Sequence, residues 1–327
     1  MKLINQKWFS NWMSFRYKNF KQFYYLKSTL KLLIPNRYFQ WRLSSLLKHA
    51  EKRNDKSYLF ERINHYIKIE KPFASIPDSL RIGDIKFPDK LKTYHFDTRE
   101  FTRYFPDDYR INRIFGDVSY LPKNPSIVKS RPITPDNSNA ILLNLNKIRH
   151  FTFPKDITPY HQKKNKLIWR GALYEHHTLR LKCLQTLYDY EQCDIGHTSN
   201  RQPYLKWRKP RLNMYNMLQH KFVMVIEGND VATSLKWVMA SNSVVIMTKP
   251  RFETWFMESK LIPDYHYILV NDDYSDVIEK INHYLAHPDQ ALQIINNAHA
   301  YIQQFKNKKR EKLISLMVLN KYFQLQQ

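Results

Sequence analysis

The second half of the chain alternates short apolar runs with segments of helical periodicity, and this alternation constrains the fold most. Apolar runs of four or five residues predict buried strands, whereas apolar positions at three- and four-residue spacing predict helices. The predicted strands are Lys166–Trp169, Phe222–Ile226, Val244–Met247 and His266–Val270, and the predicted helices are Thr233–Ser241, Val277–Leu285 and Pro288–Phe305. Strands that alternate with helices favour a parallel sheet covered on both faces. We therefore predict an α/β fold with a doubly wound C-terminal lobe.

The length of 327 residues favours two lobes, because single hydrophobic cores stop growing near about 250–300 residues. Six prolines between Pro122 and Pro159 bracket short apolar runs and predict loops at the edge of a first lobe. We divide the chain into a basic, aromatic, helical arm at 1–70, an irregular lobe at 71–165 and an α/β lobe with C-terminal helices at 166–327. A ligand is expected in the cleft between the lobes, where the strand order of an open sheet reverses.

Composition excludes several classes of protein. Five glycines leave no room for a dinucleotide-binding or P-loop motif. Cys183 and Cys193 lack metal-ligand spacing and are too few for a secreted disulfide framework, which predicts a reducing compartment. The sequence contains no run of about 18 apolar residues, so we predict no membrane-spanning helix. No signal peptide is recognisable at the N-terminus. We therefore expect a cytoplasmic location.

The net charge of +24 admits nucleic acid, anionic membranes and phosphorylated substrates as partners. From Met1 to Arg53 the arm carries twelve Lys or Arg, interleaved with aromatic residues, and a single acidic residue, Glu51. Such a segment suits docking on an anionic membrane, because aromatic rings favour the interface and cations the headgroups. It also suits a helix whose aromatic side chains pack on the first lobe, and the two alternatives are compatible.

A polar loop after the second predicted strand is the strongest candidate for an anion site. A strand that turns through Gly228 into a helix presents free backbone N–H groups and the positive end of a helix dipole to a diphosphate. Ser234 and Lys236 would add hydroxyl and ammonium donors. Alternatively, the polar side chains of the loop only cap a structural helix. The candidate residues are Glu227, Gly228, Asn229, Asp230, Val231, Ala232, Thr233, Ser234 and Lys236.

The run from Glu227 to Ser243 resembles the donor-site signature of glycosyltransferase family 90. This family includes fungal capsule-associated xylosyltransferases, animal protein O-glucosyltransferases and bacterial proteins of lipopolysaccharide synthesis. The resemblance covers roughly Phe115 to Phe305. Segments similar to the bacterial branch occur in the same order at Gly116–Tyr120, Pro125–Pro132, Lys147–Phe151, Trp169–Gly171, Pro263–Val270 and Asn271–Asp276.

The resemblance implies a GT-B-like, two-lobed architecture, with 71–165 on the acceptor side and 166–327 binding the donor. It implies transfer from a nucleotide sugar, with a UDP-sugar as the first choice, and inversion at the anomeric carbon without a cofactor or an obligatory metal. The chain has no Asp-x-Asp triplet, which agrees with this. The implied acceptor is a lipopolysaccharide core or another lipid-linked glycan, reached from the inner face of the inner membrane.

Asp117 is the candidate catalytic residue. Inverting transfer needs a carboxylate that accepts the proton of the acceptor hydroxyl. Asp117 lies where the family has its catalytic aspartate; the alternative is an aspartate that only ends a strand or turn beside Gly116.

Several cations are candidates for the donor diphosphate. Arg170, in Trp169-Arg-Gly171, matches the strand-end arginine of the family and can chelate phosphate oxygens bidentately. For each cation the alternative is an ordinary surface charge. Animal members carry an arginine where this chain has Ser234, so their donor identity does not carry over. Weaker candidates are Lys129, Ser130, Arg131 and Arg149, and the histidines His176, His177 and His266 are either structural or donor contacts, with no metal assigned to them.

Two other classes of function remain open. The positive charge and interleaved aromatic residues also fit a nucleic-acid-binding protein. No helix-turn-helix, zinc-finger or RNP-like pattern is present, however, and about half of the net charge lies in the arm, so we expect no nucleic-acid partner. A membrane-peripheral scaffold that keeps the fold but has lost catalysis is the third possibility.

Overall fold

The computed structural model describes residues 20–74, 76, 79–87, 92–200 and 204–326. The described chain forms two compact units. The N-terminal unit consists of Phe20–Ile148, Arg251–Ser259 and Phe305–Gln327, and the sheet unit consists of Arg149–Pro250 and Lys260–Gln304. The part of the predicted arm before Phe20 lies outside the described residues.

The described chain contains eleven α-helices and eleven β-strands. The helices are α1 Lys21–Leu32, α2 Asn36–Glu51, α3 Lys56–Tyr66, α4 Lys92–Thr102, α5 Lys147–His150, α6 Thr178–Leu187, α7 Met214–Met217, α8 Ser234–Met239, α9 Val277–Ala286, α10 Pro288–Lys306 and α11 Lys308–Leu325. The strands are β1 Leu80–Arg81, β2 Arg110–Ile111, β3 Ser126–Val128, β4 Ser130–Pro132, β5 Ala140–Leu142, β6 Lys164–Gly171, β7 Cys193–His197, β8 His220–Met224, β9 Val244–Met247, β10 Phe252–Thr254 and β11 Ile268–Leu269. No helix in the described ranges combines the length and apolar character that crossing a bilayer requires.

A five-stranded parallel sheet forms the centre of the sheet unit, in the order β11-β9-β8-β6-β7. Leu167, Phe222 and Val244 lie side by side across three strands and are buried. Apolar residues of α6, α9 and α10 cover the same face. Burial of this face is the main stabilising contribution to the unit, because free energy scales with the apolar area removed from water. The predicted α/β class with a doubly wound C-terminal sheet is confirmed.

The strand order reverses between β6 and β8. From β6 the chain passes to β7 on one side, whereas β8 leads to β9 and β11 on the other side. The loops that follow β6 and β8 therefore leave neighbouring strand ends in opposite directions. This arrangement opens a crevice at the carboxyl ends of the strands, which is where open α/β sheets bind ligands.

The unit boundaries differ from the predicted domains. The sheet unit begins at Arg149, and two segments of the predicted third domain, 251–259 and 305–327, belong to the N-terminal unit. The reason is pairing over long sequence distances. Strand β10 pairs antiparallel with β4, and α11 packs on α2, α3 and α4 and buries Leu316 and Leu319.

The described part of the arm forms three helices that belong to the N-terminal unit. Tyr24 in α1 packs edge-on against Phe96 of α4, and its hydroxyl donates to Asp97 Oδ1 at 2.8 Å. In α2, the ring of Phe39 packs on Tyr104. The alternative in which the arm packs on the first lobe is therefore confirmed for the residues described.

Buried ion pairs connect the three segments of the N-terminal unit. Arg62 binds Glu311 through two hydrogen bonds of 2.5 and 3.0 Å, and Trp255 Nε1 donates to the same carboxylate at 2.6 Å. Arg131 Nε donates to Glu253 Oε1 at 2.8 Å. His65 Nε2 lies 2.9 Å from the other oxygen of Glu253. Removing one partner of such a pair leaves a buried charge uncompensated.

The pair at Glu253 makes the stability of the protein depend on pH. Burial alone would raise the pKa of Glu253, but the hydrogen bond to His65 and the charge of Arg131 lower it from its ordinary 4.5 to about 2. The carboxylate is therefore stabilised by folding above pH 4.5, and this contribution is lost as the pH falls towards 2.

We expect Glu253→Gln to lower the free energy of unfolding by about 3 kcal/mol at pH 7, because Arg131 loses its counter-charge. The difference from the wild type should shrink as the pH falls from about 4.5 towards 2, since the carboxylate of the unfolded chain becomes protonated before that of the folded protein. Urea unfolding followed by tryptophan fluorescence measures both quantities. Glu51→Gln, at an exposed position of α2, is the control. A difference that stays constant over this pH range would contradict the assignment.

Candidate active site

Two loops meet at the strand-order reversal of the sheet unit. One loop, 172–177, follows β6, and the other, 225–233, follows β8. Both start at carboxyl ends of adjacent parallel strands. Open α/β sheets bind ligands outside the carboxyl ends of their strands, where the strand order reverses, and the loops there carry the contacts. These loops are therefore the first place to look for a ligand site.

Arg180 connects the two loops. It lies in the first turn of α6, and its Nη1 donates to Ala172 O at 2.7 Å in the first loop. Its Nε donates to Glu227 O at 3.1 Å in the second loop, and its Nη2 donates to Ile226 O at 3.3 Å. These hydrogen bonds connect the two loops to each other at the edge of the sheet.

The positive charge of Arg180 has no counter-charge in the described chain. Its partners there are three backbone carbonyls and His177 Nδ1, and no described carboxylate forms an ion pair with it. Burial lowers the pKa of Arg180 to about 10, so the group is still charged at neutral pH. A partly buried cation without a carboxylate favours binding of an anion beside it.

Gly228 allows the second loop to approach Arg180 closely. A Cβ at this position would lie 2.5 Å from Arg180 Nη2. The backbone N–H of Gly228 donates to Asp230 O at 3.1 Å, which closes a tight turn in the loop. Any larger residue at 228 would displace the guanidinium from the carbonyls that it contacts.

Two histidines orient the side chain of Asn229. The Nε2 atoms of His176 and His177 lie 2.8 and 3.0 Å from Asn229 Oδ1, and since an amide oxygen only accepts, both rings donate. Burial lowers the pKa of His177, which favours the neutral ring. The amide NH₂ of Asn229 is consequently directed away from the histidines. The structure thus gives these two histidines a positioning contact that the sequence left undecided.

The remaining predicted loop residues differ in accessibility. Helix α8 is shorter than the predicted Thr233–Ser241, and Thr233 and Ser234 are partly exposed at its start. Lys236, the predicted ammonium donor of the loop, is fully buried. The buried members of the loop are Asp230, Val231 and Ala232.

Arg170 is engaged within the sheet unit. Its Nη2 donates to Asp194 Oδ1 at 2.8 Å, and its Nη1 donates to Asp194 O at 2.7 Å. Lys209 Nζ binds the same carboxylate oxygen at 3.0 Å. Burial would raise the pKa of Asp194, but the hydrogen bonds from these two cations lower it. Unlike Arg180, Arg170 has a carboxylate that compensates its charge.

Asp117 lies in the N-terminal unit, directly after Gly116, whose φ of 108° is a left-handed conformation that glycine adopts without strain. Its side chain is 32% exposed and forms an ion pair of 2.5 Å with the buried Lys129 Nζ. Lys129 therefore positions the candidate base and does not stand out in solvent as a separate cation.

The other candidates of the N-terminal half divide between interior and surface. Ser130 is buried and donates to Val118 O at 3.4 Å. Arg131 is fully buried, and Glu253 and backbone carbonyls of His65 and Ala140 occupy its guanidinium. These contacts indicate a structural role for Arg131. Arg149, which starts the sheet unit, is exposed.

Comparisons with known proteins identify the family of this chain. The family described as Glycosyl transferase family 90 matches residues 146–327. The O-glucosyltransferase LpsA of Dichelobacter nodosus is 38% identical over 265 residues, which cover 81% of this chain and 82% of that protein. The chain therefore belongs to glycosyltransferase family 90. The predicted family is confirmed, and with it glycosyl transfer as the class of reaction.

Two solved structures show a weaker likeness. The C-terminal domain of LpcC, a glycosyl transferase group 1 family protein of Francisella tularensis, is 15% identical with a TM-score of 0.35, and the match covers 48% of this chain and 97% of that one. TarM is 14% identical with a TM-score of 0.36, and the match covers 53% of this chain and 38% of that one.

Sequence reasoning missed Arg180. The residue stands nine positions after Gly171, beyond the Trp169-Arg-Gly171 motif that drew attention. One signal was available: a cation in the first turn of a helix opposes the helix dipole and needs another reason to be there.

We expect Arg180→Met to loosen both loops while the sheet stays intact, because the side chain supplies the hydrogen bonds that connect them. Hydrogen–deuterium exchange should accelerate in 172–177 and 225–233 and remain unchanged in β6 and β8. Lys182→Met, which removes an exposed cation from the same helix, is the matched control. Equal exchange in Arg180→Met and the wild type would contradict the assigned role.

Proposed function

We propose that this protein is an inverting glycosyltransferase that moves a sugar from a nucleotide-sugar donor onto a lipopolysaccharide core or another lipid-linked cell-surface glycan. The observation that carries the donor half of the proposal is the uncompensated charge of Arg180 at the strand-order reversal. The similar protein's description as an O-glucosyltransferase supports a hydroxyl as the nucleophile and glucose as the first sugar to test.

The donor diphosphate binds at the two loops in this proposal. Phosphate oxygens supply the negative charge that Arg180 lacks, in surroundings where burial strengthens the attraction. Arg170 contributes only if a phosphate oxygen replaces Asp194 as its partner. A uridine nucleotide is our first choice of donor.

Asp117 is the proposed general base. The acceptor oxygen forms a bond to the anomeric carbon while its proton moves to Asp117. At the same time the bond from the anomeric carbon to the diphosphate oxygen breaks, and its electron pair leaves with the nucleoside diphosphate. Attack from the face opposite the leaving group inverts the configuration. Positive charge at the diphosphate stabilises the leaving group, so the proposal uses no metal and no cofactor.

The acceptor determines where the enzyme works. A lipid-linked glycan is presented at a membrane surface, so we place the protein peripherally on the inner face of the inner membrane. The net charge of +24 supports an anionic surface as partner. Nucleic acid is not part of the proposal.

We expect one family of nucleoside diphosphates to raise the melting temperature of the purified protein, because a ligand that binds only the native state stabilises it. The panel contains uridine, guanosine, adenosine and cytidine diphosphates and their sugars. In Arg180→Met the affinity should fall by about 10- to 100-fold, since a charge-assisted contact is lost. Lys182→Met should retain wild-type affinity. Stabilisation by none of the nucleotides, together with salt-sensitive binding to duplex DNA, would overturn the proposal.

Asp117→Asn should lower kcat by about 10²- to 10⁴-fold. It should leave nucleotide affinity within about twofold of the wild type, because the base acts on the acceptor. Release of uridine diphosphate from UDP-glucose in the presence of truncated lipopolysaccharide measures the rate, and NMR of the product gives its anomeric configuration. Asp108→Asn, at an exposed position of the same unit, is the control. Near-normal turnover of Asp117→Asn would show that another group is the base.

A further inference from the structure

Helix α1 presents an apolar stripe on its outward face. Phe23, Leu26, Leu30 and Leu33 follow one another at spacings of three, four and three residues, which places them on one side of a helix. Each is between 55 and 78% exposed. Single exposed apolar residues are common, but four in a row form a surface that water solvates poorly.

The opposite face of α1 fixes this orientation. Tyr24 donates to Asp97 at 2.8 Å, and Lys31 Nζ binds Glu100 Oε1 at 2.8 Å. Both carboxylates lie on α4. The hydrogen bonds determine the rotation of α1 about its axis, so the stripe faces outward because the helix is anchored.

Helix α2 adds an aromatic residue and positive charge. Trp41 is 80% exposed and shares its side of α2 with Arg37 and Lys48. Between Phe20 and Ala50 there are six Lys or Arg and no Asp or Glu. The outward sides of α1 and α2, here called the arm surface, therefore combine apolar side chains, a tryptophan and a strong excess of positive charge, with Glu51 at the end of α2 as the acidic residue of the two helices.

We propose that the arm surface docks on an anionic lipid bilayer, with the apolar stripe and Trp41 inserted at the interface and the cations against the headgroups. Two partners could cover this surface, a second copy of the chain or an anionic bilayer, and charge favours the bilayer. A second copy would oppose one positive surface with another, whereas anionic lipids compensate every cation. The inference specifies the membrane partner of the proposed function and is independent of glycosyl transfer itself.

The test is co-sedimentation with vesicles. Full-length protein should bind vesicles of phosphatidylcholine and phosphatidylglycerol at 7:3, and bind pure phosphatidylcholine at least about tenfold more weakly. Raising the salt concentration should weaken binding. The double variant Leu26→Glu, Leu30→Glu should lose at least about tenfold in partitioning. Leu292→Glu, at a 41% exposed position of α10, is the matched control and should bind like the wild type.

A second variant separates insertion from misfolding. Lys21→Gln with Lys27→Gln leaves the apolar stripe unchanged and should weaken binding only to the anionic vesicles. Wild-type binding by both double variants, or no binding by the wild type, would overturn the proposal. A dimer in sedimentation velocity that Leu30→Glu dissociates would also overturn it, in favour of a second copy.

Transfer assays distinguish this failure from failure of the proposed function. With a soluble, delipidated acceptor, Leu26→Glu, Leu30→Glu should keep wild-type turnover, because the arm surface contributes nothing to the chemistry. Loss of turnover on the soluble acceptor would show that these residues serve the reaction directly, which contradicts a docking role.

Discussion

Buried guanidinium groups are the interactions on which the N-terminal unit depends, because each connects segments that are far apart in sequence. Arg62 binds Glu311, 249 positions away, and Arg131 binds Glu253, 122 positions away. A buried charge costs several kcal/mol unless its partner and geometry compensate it. The bidentate geometry at Glu311 and the shared carboxylate at Glu253 provide that compensation. The N-terminal unit consequently requires all three of its segments, including the C-terminal helix.

The charge of Arg180 differs from these, because no described carboxylate compensates it. Backbone carbonyls satisfy its N–H groups, but their dipoles do not neutralise its charge as a carboxylate does. The excess positive charge lies where the sheet reverses its strand order, so the topology of the fold determines where the charge acts. An anion bound there would compensate the charge and reinforce the two loops that Arg180 connects. Ligand binding and loop order are therefore expected to be coupled in the sheet unit.

Local patterns predicted four of the five strands of the sheet, without β7, and predicted the pairing of charges poorly. The strand Val244–Met247 and the helix from Val277 were predicted with almost correct bounds, because hydrophobic periodicity is a local property. Lys129 and Arg131 were interpreted as donor ligands, yet each pairs with a carboxylate that only the tertiary fold brings near. The departure of β10 and α11 to the N-terminal unit is equally non-local. Family resemblance identified the loop at Gly228, but not the arginine beneath it.

The arm reverses the usual amphipathic arrangement. A surface helix normally turns its apolar side towards the core and its charges towards water. In α1 the inward side uses a tyrosine hydroxyl and a lysine to bind carboxylates of α4, while leucine and phenylalanine face outward. The rings of Tyr24 and Tyr25 also pack on Phe96, so aromatic contacts accompany these hydrogen bonds on the inward side. A helix held in this orientation keeps its leucine and phenylalanine side chains exposed beside lysines, which is the composition of a surface that binds an anionic interface.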